Sequence, residues 1–207
     1  MEQLLPGVYH WTSFHQGIGE RVHSYYLSCV TPAVLIDPRV PDEGLGVFAG
    51  HPPPRHAFLT NRHHYRHSDA FQDAYGLSVW CHRAGLHEFS EYEPVQPFEH
   101  GDELPGTVLA LEVGVLCPEE TAFFIPCDAG ILALGDAIVR RDHALGFVPD
   151  ELMGEDPGAV KDGLVSVFSR YLNRRFDHLL LAHGEPIVGG AKEALRHFLG
   201  QPAGPAE

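Results

Sequence analysis

The residues best suited to chemistry gather in one stretch. Residues 56–69 read His-Ala-Phe-Leu-Thr-Asn-Arg-His-His-Tyr-Arg-His-Ser-Asp and hold four of the chain's fifteen histidines. An apolar run there delivers imidazoles into a polar loop. Two later places repeat the pattern: Leu132-Ala133-Leu134-Gly135-Asp136 and Leu179-Leu180-Leu181-Ala182-His183-Gly184. Strands of one sheet can bring such ends to one edge, where imidazole and carboxylate would make a first-row metal site. Gly135 and Gly184 allow sharp turns and close backbone approach beside it. The chemistry on offer is polarisation of a carbonyl or phosphoryl oxygen and activation of a water whose pKa falls toward ~7.

Strands must carry these ends. Residues 7–11 alternate as a first strand, 23–30 are aromatic and β-rich, and 33–38 make a third. Three strands so close together predict an antiparallel meander, with 13–20 as a hairpin loop. Residues 41–50 read as a short helix stopped by Pro52-Pro53-Pro54. A strand over 57–60, a helix over Ser68–Tyr75 capped by Ser68 and closed by Gly76, and a strand over Ser78–His82 follow. The alternation over 33–82 predicts a helix-covered sheet. The second half is β-heavy, with strands over 107–115, Thr121–Ile125 and 130–134. A polar loop is expected over 140–157, then a helix over 158–176, a buried strand over 178–182 and a terminal amphipathic helix over 190–199.

Bulk properties bound the function. The 207 residues suit a single domain over 1–207, with 201–207 read as a frayed tail. The formal charge of −14 disfavours nucleic acid, whose binding rests on dense Lys and Arg. A small-molecule substrate is the expected partner, and a homodimer is compatible with this size. Four scattered cysteines form no C-x-x-C pair. No leader pattern and no apolar stretch of ~18 residues are visible, so the expectation is a cytoplasmic protein with free thiols and no membrane association.

With these segments assembled, the chain resembles the metallo-β-lactamase fold superfamily over nearly its full length. The resemblance rests on Pro6-Gly7-Val8-Tyr9, Val34-Leu35-Ile36-Asp37-Pro38, Leu59-Thr60, Gly101-Asp102-Glu103-Leu104, Leu134-Gly135-Asp136 and Ala182-His183-Gly184-Glu185-Pro186, in that order. It implies an α/β fold, a four-layer αββα sandwich of two mixed β-sheets flanked by helices. It also implies a mono- or dinuclear zinc or iron hydrolase site. The superfamily signature, H-x-H-x-D-H, falls on residues 61–66. Only His63 matches it. Asn61 takes the first position, Tyr65 the aspartate's and Arg66 the last histidine's. A further histidine is expected near residues 115–120, where Leu116 and Cys117 stand instead. The carry-over is therefore His63, Asp136 and His183, with His67 or His64 as a further ligand if the loop shifts. Asp136 is the catalytic candidate, orienting water as well as binding metal. Asp37 reads as a positioning residue for the histidine loop. Arg62 or Arg66 can fill a vacated metal position and pair with Asp136.

Three functional readings stay open. The first is a hydrolase of a small ester, thioester or lactone, using at most one metal, zinc or iron. The second is a degenerate, non-catalytic binding or structural member of the fold, with no metal. The third is a mononuclear iron redox enzyme built on two histidines and one carboxylate.

Overall fold

The computed structural model describes residues 1–90 and 92–200. The expected frayed tail, 201–207, lies outside the described residues. The chain opens with β1 (Glu2–Leu5), β2 (Val8–His15), β3 (Glu20–Leu27) and β4 (Val34–Ile36), an antiparallel meander. Next come β5 (His56–Phe58), α1 (Ser68–Tyr75), β6 (Ser78–His82) and β7 (Val95–Phe98), with β4 to β7 pairing in parallel. These seven strands form one sheet in sequence order.

The second half supplies β8 (Glu103–Leu104), β9 (Val108–Glu112), β10 (Thr121–Ile125), β11 (Ile131–Leu134), β12 (Ile138–Arg141) and β13 (Ala144–Phe147). It ends with α2 (Pro157–Tyr171), β14 (His178–Leu181), β15 (Ile187–Val188) and α3 (Ala191–Phe198). Six of its strands make a sheet in the order β15-β14-β11-β10-β9-β8, while β12 and β13 form a separate hairpin.

Side-chain alternation along the strands builds the layers. In β4, Val34 and Ile36 point between the sheets while Leu35 points outward. In β11, Ile131 and Ala133 point inward while Leu132 and Leu134 point outward. The space between the sheets is filled by Tyr25, Leu27, Phe58, Phe123, Ile125 and Leu180. Phe71 of α1 and Phe48 cover the outer face of the first sheet beside Leu35, Ala57 and Val79. Leu164 and Phe168 of α2 and Leu195 of α3 cover the second. Central strands buried on both faces read as continuous apolar runs for this reason. The result is the expected α/β sandwich of two sheets between helices.

The structure corrects several local expectations. Residues 41–50 hold only a single 3-10 turn, Leu45–Phe48. Ser68 does not cap α1; His67 precedes the first turn and no side chain caps it. Gly76 does close that helix, at φ +62, with its amide bonded to the Gln72 carbonyl at 2.8 Å. The stretch 140–157 is no plain loop, because β12 and β13 pair there across the turn at Asp142 and His143. Helix α2 starts on Pro157 behind the Asp156 cap and stops at Tyr171. Cys29 and Cys127 form a disulfide, with Cα atoms 6.1 Å apart, so the four cysteines are not all free thiols. Such bonds persist in oxidising surroundings, which removes the premise for a reducing compartment. Among the described residues no helix is long and apolar enough to cross a membrane.

Candidate metal centre

The second sheet places two of the expected residues by simple register. β11 and β14 lie side by side in parallel, with Leu134 opposite Leu181. Asp136 and His183 each lie two residues beyond that rung, so both emerge at the same edge. His183 Nε2 stands 3.1 Å from Asp136 Oδ1. Gly184, at φ +103, turns the chain away at once; a Cβ there would overlap the Arg140 carbonyl. Gly135 passes so close to Thr60 that a Cβ would lie 2.9 Å from its Oγ1.

The first sheet contributes the third donor from a turn. After β5 the chain enters a 3-10 turn over Arg62–Tyr65, with Asn61 as its N-cap accepting the His63 amide at 2.9 Å. Successive residues of such a turn point about 120° apart. The turn carries His64 inward, where it is buried, and His63 outward. His64 Nε2 reaches Asp136 Oδ1 at 3.1 Å. Its other nitrogen, Nδ1, lies 2.9 Å from Asp37 Oδ2. Asp37 also accepts the Thr60 amide at 2.8 Å and the Thr60 hydroxyl at 2.7 Å. A carboxylate that accepts a hydrogen bond from Nδ1–H aims Nε2 at the site, where it becomes a metal donor once an ion displaces its proton, the usual arrangement behind a metal-binding histidine.

Electrostatics concentrate on the same three residues. Burial opposes charge on His64, but the Asp136 and Asp37 carboxylates together overcome it and lift the imidazole to about 9. Burial works against the Asp136 carboxylate too, yet His64 and His183 hold it well below the ordinary value. Behind them Glu120 is buried, and burial plus the Asp136 charge raises it to about 8. One Glu120 oxygen accepts the Ala137 amide at 2.8 Å, which ties down the turn that carries Asp136.

One atom tests whether a metal fits. Asp136 Oδ1 has two imidazole nitrogens at 3.1 Å, but neither is aligned for a hydrogen bond, and the oxygen has no other partner. Donors held ~2.0–2.2 Å from one tetrahedral ion stand about 3.3–3.6 Å from each other, a few tenths of an ångström more than the 3.1 Å found here. His64, Asp136 and His183 thus have the composition and nearly the spacing of one metal's ligand set. A cavity of about 720 Å³ opens over them, with Ile18, Val22, Val148 and Leu152 among its lining residues.

Comparison of the whole fold with solved structures finds the same architecture. A metallo-β-lactamase family protein from Thermus thermophilus superposes with a TM-score of 0.65 at 17% identity, covering 96% of this chain and 80% of that one. A beta-lactamase domain protein from Burkholderia ambifaria gives 0.67 at 15% identity, covering 95% and 74%. This is the metallo-β-lactamase fold. A further protein of similar structure, crystallised in a di-iron-bound form, gives 0.67 at 22% identity, covering 89% of this chain and 96% of that one. No family model and no curated protein matches the sequence.

Within this metallo-β-lactamase fold the sequence-derived site needs correction in its first half. Asp136 and His183 meet, but His63 does not join them. Its ring is exposed on the cavity wall, and His64 takes the inward position. The gap-free match to the signature assumed strand-like continuation past Thr60, and the 3-10 turn defeats it. His67 is not at the centre either; its Nδ1 accepts the Val40 amide at 3.1 Å. Neither arginine pairs with Asp136. Arg62 is bound to Glu119, and Arg66 donates to the carbonyls of His23 and Asp37. Asn61 instead donates to Asp136 Oδ2 at 2.9 Å. Cys117 lines the cavity, but burial pushes its thiol up to about 12, so it is neutral. Finally, the three donors come from two sheets facing each other, not from one sheet edge.

Sequence reasoning passed over Glu120 and the role of Asn61. A signal existed for the first. Glu119 and Glu120 are adjacent carboxylates directly before an apolar strand, and both are buried. Such burial is rare unless the group is bonded or functional.

Proposed function

We propose that this chain is a hydrolase of small esters, thioesters or lactones that uses one metal ion held by His64, Asp136 and His183. The observation that carries the reading is the convergence of His64 Nε2 and His183 Nε2 on Asp136 Oδ1, which no hydrogen bond satisfies. A bound zinc or iron supplies a Lewis acid and a water acidic enough to ionise near neutral pH. The chain's own residues do the rest. Asp37 and Thr60 fix the tautomer and angle of His64. Glu120, protonated at neutral pH, holds the Asp136 turn without adding a second negative charge behind it. Val22 and Val148, both buried, give the cavity an apolar face for the non-reacting part of a substrate.

Two substitutions support a single ion. Asn61 stands at the first signature position, where its amide cannot serve as an imidazole donor, and it spends that amide on Asp136 Oδ2. Arg66 stands at the last and is committed to two backbone carbonyls. A redox role is the second reading. It is favoured by the donor set itself, since two histidines and one carboxylate with open positions suit non-haem iron.

Metal analysis of protein purified without added metal tests both. The expected result is about one zinc or iron per chain at this centre, the share that is lost in His64→Ala and Asp136→Ala, with ester hydrolysis falling in step. Iron with oxygen consumption and no hydrolysis moves the assignment to the second reading. A wild-type chain that takes up no zinc, iron or manganese on soaking sinks both, leaving a non-catalytic protein.

A further inference from the structure

A second set of donors lies outside this centre, on the β2–β3 hairpin. The β2–β3 register pairs His10 with Tyr25 and Thr12 with His23, so the two histidines are diagonal neighbours on one face. Both are buried, at 4% exposure each. Their rings lie 5.0 Å apart between centroids, and His10 Nε2 is 2.8 Å from His23 Nδ1. The loop after β14 brings the exposed Glu185 over them. One ligand atom from each of His10, His23 and Glu185 lies within 4.8 Å of the other two.

We propose that His10, His23 and Glu185 form a second metal site, of zinc type, separate from the His64–Asp136–His183 centre. Two imidazoles and one carboxylate are a common zinc donor set that leaves a fourth position for water. The existing N–H···N bond is no obstacle in proton terms. The imidazole that donates it shifts its proton to the far nitrogen of the same ring. Both facing nitrogens then present lone pairs, and no net proton is released. The rings need to turn so that both lone pairs point at one ion, and the nitrogens to part from 2.8 Å to about 3.3 Å, the spacing of nitrogen donors around tetrahedral zinc. A cavity of about 310 Å³ lined by Glu20, Val139, Gly184 and His183 reaches His23, though not His10 or Glu185, and so gives access from the His23 side. Neighbouring guanidiniums are already engaged. Arg21 is bound to Asp42, and Arg140 donates to the Glu185 and Pro186 carbonyls, which anchors the loop that carries Glu185. An ion here would pin that loop, and with it His183 two residues earlier, to the first sheet.

Zinc titration against a chromophoric chelator tests the site independently of the first centre. In an Asp136→Asn background, which disables that centre, one zinc per chain is expected to remain. Adding Glu185→Gln should weaken it at least tenfold; this residue is exposed, so the fold is not at stake. His23→Gln should remove it, with circular dichroism confirming a folded chain. A thermal melt gives a second readout. Zinc should raise the Tm of the Asp136→Asn chain and not of the chain that also carries Glu185→Gln. No zinc bound in the Asp136→Asn background, or unchanged affinity and Tm shift with Glu185→Gln, overturns the proposal. If wild-type protein binds a single zinc that survives Asp136→Asn and is lost with Glu185→Gln, the first centre fails and this one stands.

Discussion

The two sheets deliver their donors to the centre in different ways. The second sheet uses parallel neighbours in register, Leu134 opposite Leu181, and carries Asp136 and His183 two residues past that rung. The first sheet uses a 3-10 turn after β5, where each residue points about 120° from the last. A strand end tolerates small errors in alignment, because the backbone direction is already set. On a tight turn, one residue decides whether a side chain faces the site or the solvent.

This contrast can be broken by experiment. The largest effects should come from the donors themselves. His64→Ala, Asp136→Ala and His183→Ala should each lower metal affinity by more than the ~100-fold seen for outer partners, while His63→Ala leaves stoichiometry and affinity unchanged. Equal loss with His63→Ala in a competition titration would show that the turn does not select His64. Next, Asp37→Asn should cost ~10–100-fold in affinity by releasing the His64 tautomer, with the same number of ions still bound at saturation. Replacing Asn61 by His restores a donor at the first signature position and frees Asp136 Oδ2. Metal content of the first centre should rise above one ion per chain; a content that stays at one would leave Arg66 as the feature that closes the second position.

A last effect, on stability and not on affinity, concerns the hairpin. Burial holds His10 down at about 4 and His23 at about 3, below the ordinary 6.5. The N-terminus faces His10; His10, His183, Arg66 and Arg21 face His23, and all disfavour its protonation. The unfolded chain therefore takes up these protons first. The stability that the pair contributes is complete above pH ~6.5 and is lost as pH falls toward 4. The slope should approach ~1.4 kcal/mol per pH unit for each imidazole, measured by denaturant unfolding with chelator present. His10→Gln should remove about half of it; an unchanged slope would mean that these groups are not buried neutral.

The sandwich itself was readable because its central strands are buried on both faces. Leu132-Ala133-Leu134 and Leu179-Leu180-Leu181 are continuous apolar runs that admit few other placements. Asp136 and His183 were readable for the same reason, each being the first polar group beyond such a run. His64 was readable only as an alternative to His63, since sequence spacing carries no information on whether a loop continues extended or coils after Thr60. The β12–β13 hairpin was hidden behind Arg140, Arg141, Asp142 and His143, whose polarity suggests a loop. Asp142 and His143 adopt positive φ, at +48° and +66°, which is how a polar pair makes a tight reversal. Asn61 shows a further limit. Its importance lies in a bond to Asp136, 75 positions away, and no local pattern encodes that.

The disulfide between Cys29 and Cys127 takes on another meaning beside a centre shared by two sheets. Cys29 follows the end of β3 whose other end, at Glu20 and Val22, borders the cavity. Cys127 follows the end of β10 whose start adjoins Glu119 and Glu120. The covalent link therefore sits at the far end of the sandwich, like the rivet of a pair of tongs. Sliding of one sheet over the other is blocked there. At the jaws the sheets are joined by the Thr121 amide on the Thr60 carbonyl at 2.8 Å and the His23 amide on the Ala182 carbonyl at 3.1 Å, so His64 on one arm is held against Asp136 and His183 on the other.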